Sequence, residues 1–234
     1  YSSASSDVYK RQVGKTTAVK QFAVNYEQFI YLNLETDDAK SFEGERDIHK
    51  IVDRIFFLKD GEKGKADTLI FIDEIQEVPS ALNMLRYFYE EYPEYHVIAA
   101  GSLLESLFDR DVSFPVGRVD YLYMYPFTFG EFLEALGERN ALNAYRQVPV
   151  PDYAVDKLMQ LFHTYTLVGG MPEAVYRYVV TKDLSQVKPV YDSLLLSYLD
   201  DVEKYAKTTN QMQVMRHCIR SCFAEAGERI KFAG

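Results

Sequence analysis

Two short stretches of the sequence carry residue types that can hold a phosphate chain and its metal ion. In "VGKTTAVKQF", Gly14, Lys15 and Thr16 stand where a helical pattern begins. Backbone N–H groups at a helix N-terminus, together with the helix dipole, attract phosphate oxygens. Glycine lets the backbone approach them closely, lysine can reach the β- and γ-phosphates, and a threonine hydroxyl can bind Mg²⁺. This stretch is therefore predicted to bind a triphosphate.

The second stretch is "TLIFIDEIQ", a continuous apolar run that ends in two acids, Asp73 and Glu74. Such a run is typical of a parallel strand buried on both faces, and α/β sheets bind ligands at the carboxyl ends of their strands. Successive strand residues point to opposite faces, so the two carboxylates can have different roles. Asp73 is predicted to hold Mg²⁺ and Glu74 to orient or deprotonate a water molecule. A solvated loop start is the alternative, which the upstream Gly-Lys-Thr disfavours.

The elements around these residues predict an α/β half followed by an all-helical half. Strand patterns cover Phe29–Glu35, Thr68–Gln76 and His96–Ser102, helical patterns cover Thr16–Tyr26, Asp47–Leu58 and Pro79–Tyr92, and Gly117–Phe127 alternates like a further strand. Strands separated by helices need crossover connections, which predicts a mainly parallel sheet. From about Phe129 onward the periodicity is helical, so we place a boundary near residue 128.

Six motifs occur in a characteristic order: "RQVGKTT", "YLNLE", "IFIDEIQEVP", "GSLLES", "PVGRVDYLYMYPFTFGEFL" and "GGMPEAV". In this order they resemble a family of bacterial and archaeal AAA-superfamily P-loop ATPases that carry a C-terminal domain of unknown function. The resemblance implies a P-loop NTPase core of the AAA/ASCE type at 13–128, with a parallel sheet sandwiched by helices. It also implies that 129–234 form an all-helical, winged-helix-like lid and the start of a truncated C-terminal region.

The same resemblance implies the residues that bind the ligands, ATP and Mg²⁺. The first motif corresponds to a Walker A loop and "IFIDE" to a Walker B strand, with Thr16 and Asp73 at the metal. The implied nucleotide contacts are Arg11, Gln12, Val13, Gly14, Lys15, Thr16 and Thr17 in the loop, and Gly170 and Pro172 of "GGMP" near the adenine. For "GGMP", a helix stop and restart is an equally open interpretation.

Two further residues are candidates for catalysis beside Glu74 and Lys15. Ser102, at the end of the third strand pattern, can sense the γ-phosphate or the water, or it can cap the helix that starts at Leu103. Arg118 can stabilise transition-state charge, either within its own chain or from a neighbouring subunit. An ordinary surface ion pair is the alternative for Arg118.

The start of the chain departs from the family, which opens its loop with glycine after an apolar strand. Here Tyr9 and Lys10 precede Arg11, and "YSSASSDV" cannot supply a buried strand. A back-translation of "DVYKRQ" resembles the transposase end used in preparing DNA sequencing libraries. We therefore expect residues 1–12 to be non-native and the first strand to be missing. As written, the chain is expected to bind ATP poorly, and a natural start to restore affinity in a titration.

The net charge, the lack of a long apolar run and the number of cysteines disfavour several classes of function. The 234 residues have a formal charge of −9, which disfavours extensive tracking along a nucleic-acid backbone. No run of about 18 apolar residues or secretory signal is present, and the two cysteines suit neither a disulfide framework nor a zinc site. A cytoplasmic protein without a membrane span is expected.

The leading functional interpretation is Mg²⁺-dependent ATP hydrolysis that moves the helical half and so changes what a missing C-terminal domain or an unknown protein partner binds. One alternative is a nucleotide-gated interaction module without enzymatic function, with a nucleic-acid link left open. Another is a small-molecule kinase on the same loop. The sequence disfavours the kinase because it shows an Asp-Glu pair and a helical lid rather than basic lid residues.

Overall fold

The computed structural model of the chain describes residues 14–101, 117–206 and 208–224. Its strands are β1 (Gln28–Asn33), β2 (Thr68–Asp73) and β3 (Tyr95–Ala99). Its helices are α1 (Lys15–Phe22), α2 (Ile48–Leu58), α3 (Pro79–Glu91), α4 (Phe129–Ala135), α5 (Arg139–Tyr145), α6 (Asp152–Val168), α7 (Pro172–Thr181), α8 (Lys188–Tyr205) and α9 (Thr209–Ala224). The predictions for Arg11, Gln12, Val13 and Ser102 fall outside the described residues.

The three strands form one parallel sheet in the order β1-β2-β3. The central strand β2 is buried along all six of its residues, as its continuous apolar sequence predicts. In the register, Tyr31 pairs with Phe71 and Asn33 with Asp73, so both strands end at the same edge. The predicted parallel α/β core is confirmed.

One face of the sheet packs on an aliphatic core. Ile30 and Leu32 of β1 alternate with residues on the other face and join Ile70 and Ile72 of β2 in this core. The helical stripe predicted in α2 completes it: Ile48, Ile51, Val52, Ile55 and Phe56 are all buried. Burial of this stripe fixes α2 against the sheet, and the sheet can then present its carboxyl edge as a rigid platform.

The expected strand at Gly117–Phe127 is wrong. This segment is irregular chain, and Leu122 is 97% exposed. A strand must pair with a neighbouring strand, and none of the described strands pairs with this segment. The alternating aromatic pattern alone could not reveal that.

Contacts divide the chain into two compact units, and the described residues 14–124 belong to the α/β unit. The described residues of the other unit, from Tyr125 onward, contain helices and no strand. Its first helix, α4, begins with a reciprocal capping box between Thr128 and Glu131. The predicted helical half is confirmed, and its likeness to a winged helix stays a prediction. Among the described residues, no helix is long and apolar enough to cross a membrane.

The core of the helical unit is built by α4 to α7 around Phe132. Its ring contacts Tyr165 of α6 and Tyr178 of α7, with centroids 5.4 and 6.2 Å apart. Tyr165 also donates a hydrogen bond from its hydroxyl to the Phe127 carbonyl at 2.7 Å, which satisfies the phenol inside the core.

The segment "GGMP" joins α6 to α7 within this unit. Gly169 ends α6 with a positive φ of 72°, and Pro172 opens α7 at its first turn. The Gly170 carbonyl accepts a hydrogen bond from the Phe127 N–H at 2.7 Å. These contacts agree with a helix stop and restart, and the adenine-binding role of Gly170 and Pro172 stays a prediction.

Gly170→Ala is expected to destabilise the helical unit by about 1–3 kcal/mol, because overpacking costs of this order follow an added methyl in a filled site. A Cβ there would lie 2.3 Å from the Phe127 carbonyl oxygen, which is backbone and cannot rotate away. The matched control is Gly130→Ala in α4, where the nearest atom would be 3.5 Å away. Chemical denaturation of the whole chain measures both, and equal stability of the two variants would contradict the expectation.

Candidate functional site

The tip of α1 meets the carboxyl end of β2. The Thr16 hydroxyl donates to Asp73 Oδ2 at 2.8 Å, across 57 residues of sequence. Asp73 is only 5% exposed, so this is a contact with an acid held inside the sheet edge. The helix residue and the strand residue predicted to share a metal ion are therefore brought together.

Lys15 lies beside Thr16 and extends to the end of the third strand. Its ammonium group donates to the Gly101 carbonyl at 2.7 Å. Gly101 follows β3, so α1 contacts residues at the ends of two adjacent strands through consecutive side chains. The ammonium is thereby held at the edge where the Asp73 carboxylate lies.

Gly14 precedes the helix as its N-cap and has a left-handed backbone, with φ 91°. Within the described part of the chain, no side chain caps α1. Glycine adopts this conformation without the penalty of a Cβ, and an uncapped helix start leaves its first N–H groups available to an anion. Thr17 lies exposed in the first turn.

Glu74 has an unusual backbone for its residue type. Its φ of 53° and ψ of 45° are left-handed, which costs of the order of 1 kcal/mol for a residue with a Cβ. The conformation is held because the next N–H, of Ile75, donates to the Ala100 carbonyl at 3.0 Å. Strain that is fixed in this way is common where a side chain must be aimed at a substrate.

The Glu74 carboxylate is itself engaged. Gln76 Nε2 donates to Glu74 Oε2 at 2.6 Å, while Gln76 Oε1 is buried and has no hydrogen-bond partner in the part of the chain that the structure describes. An orphaned buried acceptor costs about 1–3 kcal/mol. Gln76 therefore restrains one carboxylate oxygen of Glu74 with its Nε2 group, while its own Oε1 lacks a hydrogen-bond donor among the described residues.

The Asp73 carboxylate accepts three hydrogen bonds from the described residues. Besides Thr16, the Tyr31 hydroxyl donates to Oδ2 at 3.2 Å, and the Glu74 N–H donates to Oδ1 at 3.1 Å. Burial and the neighbouring Asp73 carboxylate, with this hydrogen bond, raise the pKa of Tyr31 to about 12. The phenol therefore stays protonated, and remains a donor, throughout the physiological pH range.

Carboxylate and hydroxyl oxygens are the ligand types that Mg²⁺ takes, usually through one or two protein groups with water completing the shell. Asp73 and Thr16 supply one of each within 2.8 Å of one another. The residues at this edge thus suit a magnesium ion.

Arg118 is not brought to this cluster. Its guanidinium Nε donates to Glu90 Oε1 at 2.7 Å. Glu90 lies near the end of α3, which runs from the carboxyl edge of β2 back to the start of β3. The pair therefore lies toward the opposite edge of the sheet from Asp73. The structure contains the surface ion pair, and a catalytic role of Arg118, within its own chain or from a neighbouring subunit, stays a prediction.

Sequence reasoning missed two residues that touch the predicted site, Tyr31 and Gln76. Tyr31 lies in a predicted strand, and its aromatic ring suggests only packing. Gln76 follows Glu74 by two residues, and its contact depends on the left-handed turn at Glu74. The sequence did contain one signal for Tyr31: its hydroxyl group lies on the strand that precedes the strand ending in Asp73.

Comparison with known families agrees with this geometry. A family model described as AAA domain matches residues 10–133, more than half of the chain. The chain belongs to this AAA domain family. AAA domains generally bind ATP with Mg²⁺, so membership indicates a nucleotide-binding, ATPase-like function.

A second family model, a domain of unknown function named DUF8612, matches residues 159–234. It follows the AAA domain in the chain and begins within α6. No curated protein and no solved structure shows a significant match. The assignment of roles within this AAA domain therefore depends on the geometry described above.

Proposed function

We propose that this AAA domain binds Mg·ATP at the edge formed by α1, β2 and β3 and hydrolyses it. The observation that carries the proposal is the 2.8 Å hydrogen bond between the Thr16 hydroxyl and the buried Asp73 carboxylate. It unites a helix tip suited to phosphate with an acid suited to a cation, and Lys15 and Glu74 are their immediate neighbours in sequence.

Each side chain has a distinct task in this proposal. Lys15 exchanges its bond to the Gly101 carbonyl for phosphate oxygens, which attract an ammonium group more strongly because they are charged. The N-terminal N–H groups of α1 bind the same phosphates. Thr16 and Asp73 would hold Mg²⁺, which would supply positive charge to offset that of the phosphates.

Glu74 is the proposed general base. Its carboxylate has one oxygen bonded to Gln76, which leaves Oε1 to accept a proton from a water molecule. The strained backbone at Glu74 aims this group from the carboxyl end of β2, beside the residue that holds the cation. Products are then ADP and phosphate, with the proton passing from water to the carboxylate.

Measurement of ATP turnover with and without Mg²⁺ tests the proposal. We expect phosphate release that requires Mg²⁺ and is lost in Asp73→Asn. Binding that does not depend on the metal, with no turnover, would contradict hydrolysis at this site.

A nucleotide-gated interaction module is the second candidate, and one observation favours it. Gln76 donates a hydrogen bond of 2.6 Å to the carboxylate of Glu74, the proposed base. A carboxylate restrained in this way is less free to take a proton from water, which would slow turnover. Because Gln76 also carries an orphaned acceptor, a partner that moves it would relieve that cost. Hydrolysis measured with and without candidate protein partners or DNA separates a stimulated enzyme from a switch that turns over equally slowly in both conditions.

A further inference from the structure

We propose that Tyr31 is a positioning residue of the nucleotide site, whose hydroxyl orients Asp73 and whose ring anchors the helix that carries Lys15 and Thr16. The inference rests on the proposed function. Neither the motifs nor the family match assigns this residue a role.

The hydroxyl acts on the carboxylate that would hold the cation. It donates to Asp73 Oδ2 at 3.2 Å, the same oxygen that accepts from Thr16 at 2.8 Å. The Glu74 N–H donates to the other oxygen. Donors on both oxygens fix the plane of the carboxylate, so the group does not need to be ordered when a cation binds.

The ring acts on α1. The Lys20 ammonium group lies 4.5 Å from the centroid of the Tyr31 ring, within range for a cation–π interaction. Lys20 is in the last turn of α1. Tyr31 therefore contacts both Lys20, at the end of α1, and Asp73, which also accepts a hydrogen bond from Thr16 in the first turn of α1.

This anchoring matters because α1 contributes no buried residue. Three polar contacts join it to the sheet edge: Lys15 with Gly101, Thr16 with Asp73, and Lys20 with the Tyr31 ring. In most helices an apolar face fixes the position. In α1 these directed contacts therefore help to fix the phosphate-binding tip, and Tyr31 contacts Lys20 directly and Asp73, the partner of Thr16.

The Tyr31 ring is itself held rigidly. It stacks on Phe71 with centroids 5.4 Å apart and lies 6.3 Å from Phe29 on the same strand. Phe71 is fully buried. Because these contacts belong to the ring alone, Tyr31→Phe removes the hydroxyl and leaves the stacking and the Lys20 contact in place.

The test measures how much Mg²⁺ strengthens binding of AMP-PNP, a non-hydrolysable ATP analogue, by calorimetric titration of the whole chain up to millimolar nucleotide in EDTA and in Mg²⁺. The ratio of the two dissociation constants is the readout. In Tyr31→Phe we expect this ratio to fall by about three- to tenfold, the usual range for one hydrogen bond, with the constant in EDTA within about twofold of the parent.

Tyr26→Phe is the matched control, because it removes a phenol of the same unit that bonds to His96 instead of Asp73. Its ratio should equal that of the parent. Tyr31→Leu, which also removes the ring, should weaken binding in EDTA as well, since α1 then loses its Lys20 anchor.

The outcomes separate the two proposals. An unchanged ratio in Tyr31→Phe, with a parent that shows a clear Mg²⁺ effect, overturns the orienting role and leaves the nucleotide site intact. Equal constants in EDTA for Tyr31→Leu and the parent overturn the anchoring role. A parent without Mg²⁺-dependent binding refutes the proposed function, and this inference with it.

Discussion

Lys15→Met should weaken binding of Mg·ATP by about two orders of magnitude, equivalent to about 2.7 kcal/mol. In the structure the Lys15 ammonium group donates to the Gly101 carbonyl and lies beside the Thr16–Asp73 contact. Phosphate oxygens offer it charged acceptors in place of a neutral one, and charge-assisted hydrogen bonds are about twice as strong as neutral ones. Methionine keeps most of the length of the side chain but has no donor.

The matched control is Lys40→Met, because Lys40 is an exposed lysine of the same unit that pairs with Asp37. Its affinity should stay within about twofold of the parent, as expected for an exposed ion pair. Titration with a fluorescent ATP analogue, accompanied by thermal denaturation, distinguishes lost binding from lost folding. If the Lys15 and Lys40 variants bind equally well, Lys15 does not hold the phosphates.

Sequence patterns predicted the sheet because the burial of a strand or helix is encoded in the order of apolar residues within that element. The continuous apolar run of β2 indicated a strand buried on both faces, and the stripe of α2 indicated which side of that helix packs. The meeting of Thr16 with Asp73 also followed from sequence, since both residues were predicted to hold the same metal ion and α/β sheets bind ligands at the carboxyl ends of their strands.

Contacts that depend on register or on backbone detail could not be predicted. Tyr31 reaches Asp73 because β1 and β2 pair with Asn33 opposite Asp73, and no pattern within one strand specifies that register. The need for glycine at position 170 depends on Phe127, 43 positions earlier in the chain. The alternation in Gly117–Phe127 predicted a strand, yet pairing requires a neighbour that local sequence cannot supply.

Glu74→Gln should reduce kcat for ATP hydrolysis by about 10²–10⁴-fold while leaving the affinity for Mg·ATP within about twofold of the parent, because a general base acts on the proton and contributes little to nucleotide binding. Glutamine has nearly the same shape, and its carbonyl can still accept the hydrogen bond from Gln76 that the carboxylate accepts now. Thus the substitution preserves the geometry and removes the proton acceptor.

The control is Glu77→Gln, the same change three residues later at an exposed position of the same turn. Its turnover should match the parent. Single-turnover phosphate release at saturating nucleotide measures the chemical step in all three chains. A Glu74→Gln variant that hydrolyses ATP at the parental rate would remove Glu74 as the base. Slow and equal release from all three, with normal binding, would instead favour the nucleotide-gated module, since a restrained carboxylate that takes no proton can be replaced without effect.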